Sequence, residues 1–409
     1  MSTKALARIL FLISPLVLCS CLAVRPSSTS NDLELVRSWI DAQWPQSKQV
    51  YKTTSSEIYL ANLNASISSL DRLITDKLAV RTGTQLADKL YHRYKILGRF
   101  TDAEAALSII RQLTRQPEAG ATSFLSLAGI LAGFHLFNDA LAALDHAVAL
   151  GGDAGRIADL SREINTAIGI YQFPTDISRG YPDHITTAQQ ALLGGDFVLA
   201  STHFRQAELS YRGTDPYVLA WIQLQQGIAF LRYGDSRTAN YFFKLAHERM
   251  PEFYLVTEHL AETEFLLGEL TAAEQLYKQV SEQTGHPQFY YQLARVQALL
   301  GDLTASQRSS ALASAGFDQL AARYPLAMGD HAVNFYLQQR QGDKALSLAR
   351  KNLANRHNIE SWILLANTAL AVKADEEACQ AYSSAIQLRV HPVEMDRLTE
   401  RIAGLCKTQ

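Results

Sequence analysis

The sequence predicts an all-α fold, a solenoid of stacked helix-turn-helix repeats. Three observations carry that expectation. A ladder of small, aromatic and turn residues (Gly227, Phe230, Gly234-Asp235, Ala239, Phe243, Ala246, Pro251) occupies residues 220–253 and recurs at close to one period along most of the chain. Helix formers are abundant, proline is sparse and strand-like alternation is hard to find. A stacked array also has no single core, so 409 residues can run as one body without dividing into compact domains.

The ladder can be followed from Ala239. Equivalent positions are Ala103, Ala140, Ala200, Ala273, Ser306 (weakly), Ala345 and Ala378, and most spacings fall between 33 and 39 residues. Four residues on, one helical turn away on the same face, stand Leu107, Leu144, Phe204, Phe243, Tyr277 and Tyr382. Three further on a small residue returns at Ala147, Ala207, Ala246 and Ala385. Five before the marker sits Gly98, Gly195, Gly234, Gly268 or Gly301, suited to leaving the first helix with positive φ. The last unit repeats the pattern with Trp362, Leu365, Ala366, Ala369, Ala378, Tyr382 and Ala385.

These offsets resemble the tetratricopeptide repeat over roughly residues 84–392. The resemblance implies a right-handed superhelical solenoid whose concave face, lined by the first helix of each unit, holds a protein or peptide. Departures exist: His135, Arg340 and Lys373 stand where the turn glycine is expected, and the interval from Ala140 to Ala200 is too long for one unit and short of two.

At the amino terminus, residues 1–20 read as a signal peptide. Lys4 and Arg8 precede an apolar stretch from Ile9 to Leu18, and Leu18-Cys19-Ser20-Cys21 looks like a bacterial lipobox that makes Cys21 the lipidated residue. Leu22 after the cysteine implies, by resemblance to sorted lipoproteins, an outer-membrane lipoprotein facing the periplasm. Cleavage after Ala23 would instead give a soluble periplasmic protein. Residues 21–30 form a small, polar tether, and helices are expected through 31–83, starting at Asn31-Asp32 with a stripe of Leu35, Val36, Trp39 and Ile40.

Repeats are then expected over 84–154, an extra helix from Arg156 to Ile170 and an irregular loop around Pro174, Gly180 and Pro182 over 155–180, further repeats over 181–392, and a capping helix within 393–409. The cap should turn a charged side outward (Glu394, Asp396, Arg397, Glu400, Arg401). An exported chain lives in an oxidising compartment, where Cys379 and Cys406 are a disulfide candidate. Antiparallel helices about a turn near His391-Pro392 bring them within about one helical turn, and the bond would contribute roughly 3–4 kcal/mol.

Composition excludes some classes of partner. Net charge is -2 and no basic run is interleaved with aromatics, so no nucleic-acid partner is expected. The histidines form no His-Glu-x-x-His pair, and no nucleophile elbow or phosphate loop occurs, so neither a catalytic residue nor a metal or cofactor is expected. Gly151-Gly152-Asp153-Ala154-Gly155 reads as a helix end. The pairs Glu262/Glu264 and Glu376/Glu377 read as solvated surface charge.

The resemblance to the tetratricopeptide repeat implies that Trp221, Leu224 and Ile228, then Leu255, Glu258 and Glu262, then Gln288, Tyr291 and Arg295 line the inner wall, either open to a partner or packed against neighbouring repeats. An apolar patch beside acids, Tyr and Arg suits an extended or helical peptide. The functional expectation is a lipid-anchored periplasmic scaffold or adaptor for another envelope protein, in pilus or secretion, outer-membrane, peptidoglycan or polysaccharide-export assembly. A soluble repeat protein binding a small ligand or glycan, or an enzyme with a cryptic site, are the readings of other classes.

Overall fold

The computed structural model describes residues 53–73, 79–171, 180–327 and 329–406, together with Glu34, Val36 and Ser38. The expected signal peptide, Cys21, the expected tether, most of the Leu35–Ile40 stripe and the expected loop around Pro174 lie outside the described residues; Glu34, Val36 and Ser38 are helical and Val36 is buried. Among the described residues there is no strand.

After α1 (Ser56–Leu73) the chain forms antiparallel hairpins: α2 (Val80–Leu97) with α3 (Phe100–Leu113), and α4 (Ala121–Gly133) with α5 (Phe137–Ala149). The extra helix α6 (Ala154–Ala167) follows. Then come α7 (Tyr181–Leu193) with α8 (Phe197–Ser210), α9 (Pro216–Arg232) with α10 (Ser236–Arg249), α11 (Tyr254–Leu266) with α12 (Leu270–Thr284), and α13 (Pro287–Leu299) with α14 (Leu303–Arg323). The array ends in α15 (Gly329–Gln338) with α16 (Gly342–Asn355), α17 (Ile359–Ala371) with α18 (Asp375–Gln387), and the single α19 (Val393–Ile402). The protein is thus an all-α solenoid of tetratricopeptide-like hairpins.

Local chemistry explains the turns. Gly195, Gly234 and Gly301 have φ of 79°, 84° and 87°, and the Asp that follows each caps the next helix. Asp196, Asp235 and Asp302 accept from the backbone N–H of Leu199, Thr238 and Ala305 at 2.9, 3.1 and 2.9 Å. The non-glycine residues at this turn obey the same demand: His135, Arg340 and Lys373 adopt φ of 55°, 58° and 62°. The turn geometry is kept and the residue bears the left-handed strain. Gly151, at φ 69°, ends α5, and the next N–H, from Gly152, returns to Ala147 O.

Packing follows the ladder. Ala103, Ala140, Ala200, Ala239, Ala273, Ala345 and Ala378 are all fully buried, letting paired helices approach closely. Gly227 faces the Phe243 ring so tightly that a Cβ there would lie 2.2 Å from a ring carbon. Each fully buried aromatic contributes about 1.5–3 kcal/mol.

The superhelix also winds onto itself. Gln283 Nε2, at the end of α12, donates to Leu97 O at 3.1 Å, and Arg323 pairs with Glu104 at 3.0 Å. Asn355 Nδ2 donates to His135 O, and Tyr171 Oη accepts from Ile359 N–H at 2.8 Å. His391 N–H donates to Leu193 O at 2.8 Å. These contacts join hairpins a full winding apart, so the interior between windings is filled.

The cap differs from expectation at two residues, Glu394 and Arg397, whose guanidinium donates to Arg232 O. Val393, Met395, Leu398 and Ile402 are buried and Glu400 and Arg401 are exposed, but Glu394 turns inward. Its carboxylate takes both arms of Arg232, at 2.6 and 2.7 Å, because the winding brings α9 beneath the cap. Cys379 and Cys406 are joined by a disulfide, with Cα atoms 5.5 Å apart.

Candidate functional site

The inner-wall residues expected from the sequence stand on three successive first helices: Trp221, Leu224 and Ile228 on α9, Leu255, Glu258 and Glu262 on α11, and Gln288, Tyr291 and Arg295 on α13. The structure packs most of them inside. Trp221, Leu224, Leu255, Glu258, Glu262 and Tyr291 are buried; Ile228, Gln288 and Arg295 are half-buried. Arg295 lies over the Phe265 ring at 5.3 Å and the Tyr291 ring at 6.0 Å, and donates to Gln292 Oε1 at 2.7 Å. Gln288 Oε1 meets His331 Nδ1 at 2.7 Å. Six of these nine residues are thus buried within the array and three are half-buried.

The centre of this interior is α11, buried from Tyr254 through Glu264. A helix enclosed on all sides is ordinarily apolar throughout, yet this one carries Glu258, His259, Glu262 and Glu264. Glu262 and Glu264 are accordingly not solvated surface charges: each is under 10% exposed. The helices that enclose them are distant in sequence, so local spacing alone suggests surface pairs. Glu377, by contrast, is half-buried and pairs with Arg350 at 2.6 Å, next to an exposed Glu376.

Glu264 is well compensated: it takes the Lys244 ammonium at 2.9 Å and Asn240 Nδ2 at 3.0 Å. Glu258 and Glu262 instead converge on His259, whose Nδ1 lies 3.3 Å from Glu258 Oε2 and 3.2 Å from Glu262 Oε2. Helical spacing explains the convergence. At about 100° per residue, Glu262 projects between Glu258 and His259 around the helix axis. The imidazole is held flat against Phe243, centroids 5.3 Å apart, so Phe243 is fixed between Gly227 and His259.

Electrostatics here are strained by enclosure. Burial raises the Glu258 carboxyl above its usual range; His259 opposes this and Glu262 adds to it. Burial alone would lower His259, but the two carboxylates lift it above an ordinary imidazole. The three donor atoms lie within 4.8 Å of one another, a geometry able to hold a cation. Glu258-His259-x-x-Glu262 is not a His-Glu-x-x-His pair, and its spacing becomes informative only once α11 is known to be enclosed.

No protein-family model and no curated protein sequence matches the chain. Solved structures similar to it are helical-repeat proteins of low identity. Human IFIT1 matches at TM-score 0.41 and 12% identity, over 87% of this chain and 87% of that one. Yeast Tom70 matches at 0.31 and 14%, over 89% of each chain. PilW, a type IV pilus biogenesis factor, matches at 0.29 and 18%, over 61% of this chain and 95% of its own.

Proposed function

We propose that the chain is a lipid-anchored periplasmic scaffold that binds other envelope proteins or peptide segments through its repeats. The observation that carries the binding reading is an apolar edge left exposed by consecutive hairpins. Leu266 and Leu267 end α11, Leu299 and Leu300 end α13, and Leu303 opens α14; all are exposed, Leu299 and Leu303 at 62% and 64%. Each pair precedes a turn glycine, Gly268 or Gly301, so the two pairs occupy equivalent places on one edge of the array. Isolated surface leucines need no explanation, whereas a repeated set rimmed by Glu269 and Asp302 suits an amphipathic partner.

Most residues expected on the concave wall, including Trp221, Glu258, Glu262 and Tyr291, are buried, which favours this exposed edge as the proposed contact. The address rests on Leu18-Cys19-Ser20-Cys21, and the Cys379–Cys406 bond is compatible with an oxidising compartment. Outer-membrane sorting rests on Leu22. A photo-crosslinking residue at Leu303 in cells should trap one protein at discrete stoichiometry, while one at buried Tyr291 should trap none. Diffuse products from Leu303, or a specific adduct only from Tyr291, would refute the proposed surface.

A further inference from the structure

The Glu258–His259–Glu262 cluster has a charge problem that proteins seldom leave unsolved. Two carboxylates and one imidazole are enclosed together, with side-chain exposures of 7%, 5% and 1%. With both carboxylates ionised, the set keeps one excess negative charge even when the imidazole is protonated. Among the described residues no Lys or Arg pairs with Glu258 or Glu262; the nearby ammonium of Lys244 is taken by Glu264. Nor can one Nδ1–H satisfy two carboxylate oxygens in full. Buried charge of this kind is tolerated when it is paired or when it coordinates metal.

We propose that Glu258, His259 and Glu262 are the protein ligands of one divalent zinc-class cation. The donor set fits: imidazole nitrogen with two carboxylate oxygens suits Zn2+ and its first-row neighbours. The spacing fits too. Zn–N and Zn–O bonds near 2.0–2.1 Å set about 3.3 Å between adjacent donors of a tetrahedron. The structure already holds His259 Nδ1 at 3.3 Å and 3.2 Å from the two oxygens. On binding, His259 coordinates through Nδ1 in its neutral form with its proton on Nε2. Any proton held between Nδ1 and the carboxylates leaves to solvent, and the doubly charged ion brings the cluster to neutrality. Three protein donors leave a fourth position for water or a further ligand. Phe243, stacked on the ring, fixes the orientation of His259.

The test uses the chelator-treated full chain titrated with Co2+, whose tetrahedral complexes show intense visible d–d bands, followed by displacement with Zn2+ and metal counting by mass spectrometry. The expected result is one ion per chain and a Co2+ band bleached by Zn2+. Glu262→Gln and His259→Gln should each weaken binding by at least about tenfold and reduce the band. Glu264→Gln, which alters a neighbouring carboxylate outside the cluster, should bind as the parent does. His184→Gln should also leave binding unchanged; it removes half of the His184–His203 pair, 3.0 Å apart, the competing imidazole site. Circular dichroism establishes that each variant is folded. Absence of stoichiometric binding by the parent would overturn the proposal and leave a proton-sharing cluster. Undiminished binding by folded Glu262→Gln, or loss confined to His184→Gln, would overturn it equally.

Discussion

Gly227→Ala tests how tightly the array is packed. The added methyl would lie 2.2, 2.6 and 2.8 Å from three atoms of the Phe243 ring, far inside contact distance. The ring has nowhere to retreat: Phe243 is fully buried, Ala239 and Ala246 on its own helix are equally enclosed, and His259 lies stacked on it. In an unconstrained helix interior, Gly→Ala gains roughly 0.5–1 kcal/mol. Overpacking a filled interior costs roughly 1–3 kcal/mol. The clash should win, with net destabilisation of about 1–2 kcal/mol. Urea unfolding of the full chain would show it as a lowered midpoint at unchanged slope for the transition that includes α9 and α10. Replacing Phe243 by Leu in the same chain should recover part of the loss, giving a favourable coupling of about 1 kcal/mol in a double-mutant cycle. A Gly227→Ala chain as stable as the parent, with no coupling to Phe243, would refute the packing argument.

Other consequences can be checked with the same equipment. Lys373→Gly and Arg340→Gly should stabilise by up to about 1 kcal/mol by relieving positive φ, while Gly234→Ala should cost about 1 kcal/mol at the equivalent turn; urea midpoints decide. Arg232→Ala strips the enclosed Glu394 carboxylate of its partner and should cost about 2–4 kcal/mol, seen as accelerated hydrogen exchange in α19. Burial opposes ionisation of Glu394, but Arg232 holds its carboxyl below the usual glutamate range. Its contribution is thus present above the ordinary glutamate pKa and is lost as pH falls through the lowered folded value; Glu394→Gln should flatten that acid limb of the stability profile. Reducing the Cys379–Cys406 bond opens a 27-residue loop and should loosen the cap by roughly 3–4 kcal/mol, measured as exchange in α19 with and without reductant.

Much of this architecture was legible in the sequence, for a physical reason. Hairpin formation is local: Gly234-Asp235 supplies positive φ and then a cap, Ala239 and Phe243 make the contact, and the period follows from the length of one hairpin. The extra helix and the cap were also readable from local pattern, to within a few residues at their ends. The winding was not, because contacts such as Gln283 to Leu97 or Glu394 to Arg232 lie 186 and 162 positions apart and leave no periodic trace. Burial that depends on winding is therefore not legible locally: spacing alone suggests Glu262 and Glu264 in solvent and Glu394 on the outer side of the cap, whereas all three turn inward. The same blindness hid the Glu258–His259–Glu262 cluster, since three polar residues on a helix become a site only when other windings enclose them.

The central claim is that successive windings touch and fill the interior. Spin labels at Glu104→Cys and Arg323→Cys, in a chain with Cys19 and Cys21 changed to Ser and the Cys379–Cys406 bond intact, measure this by double electron–electron resonance. These side chains meet at 3.0 Å across two windings, so a single short interspin distance with a narrow distribution is predicted. A long or broad distribution, as an open solenoid with separated windings would produce, would contradict the account.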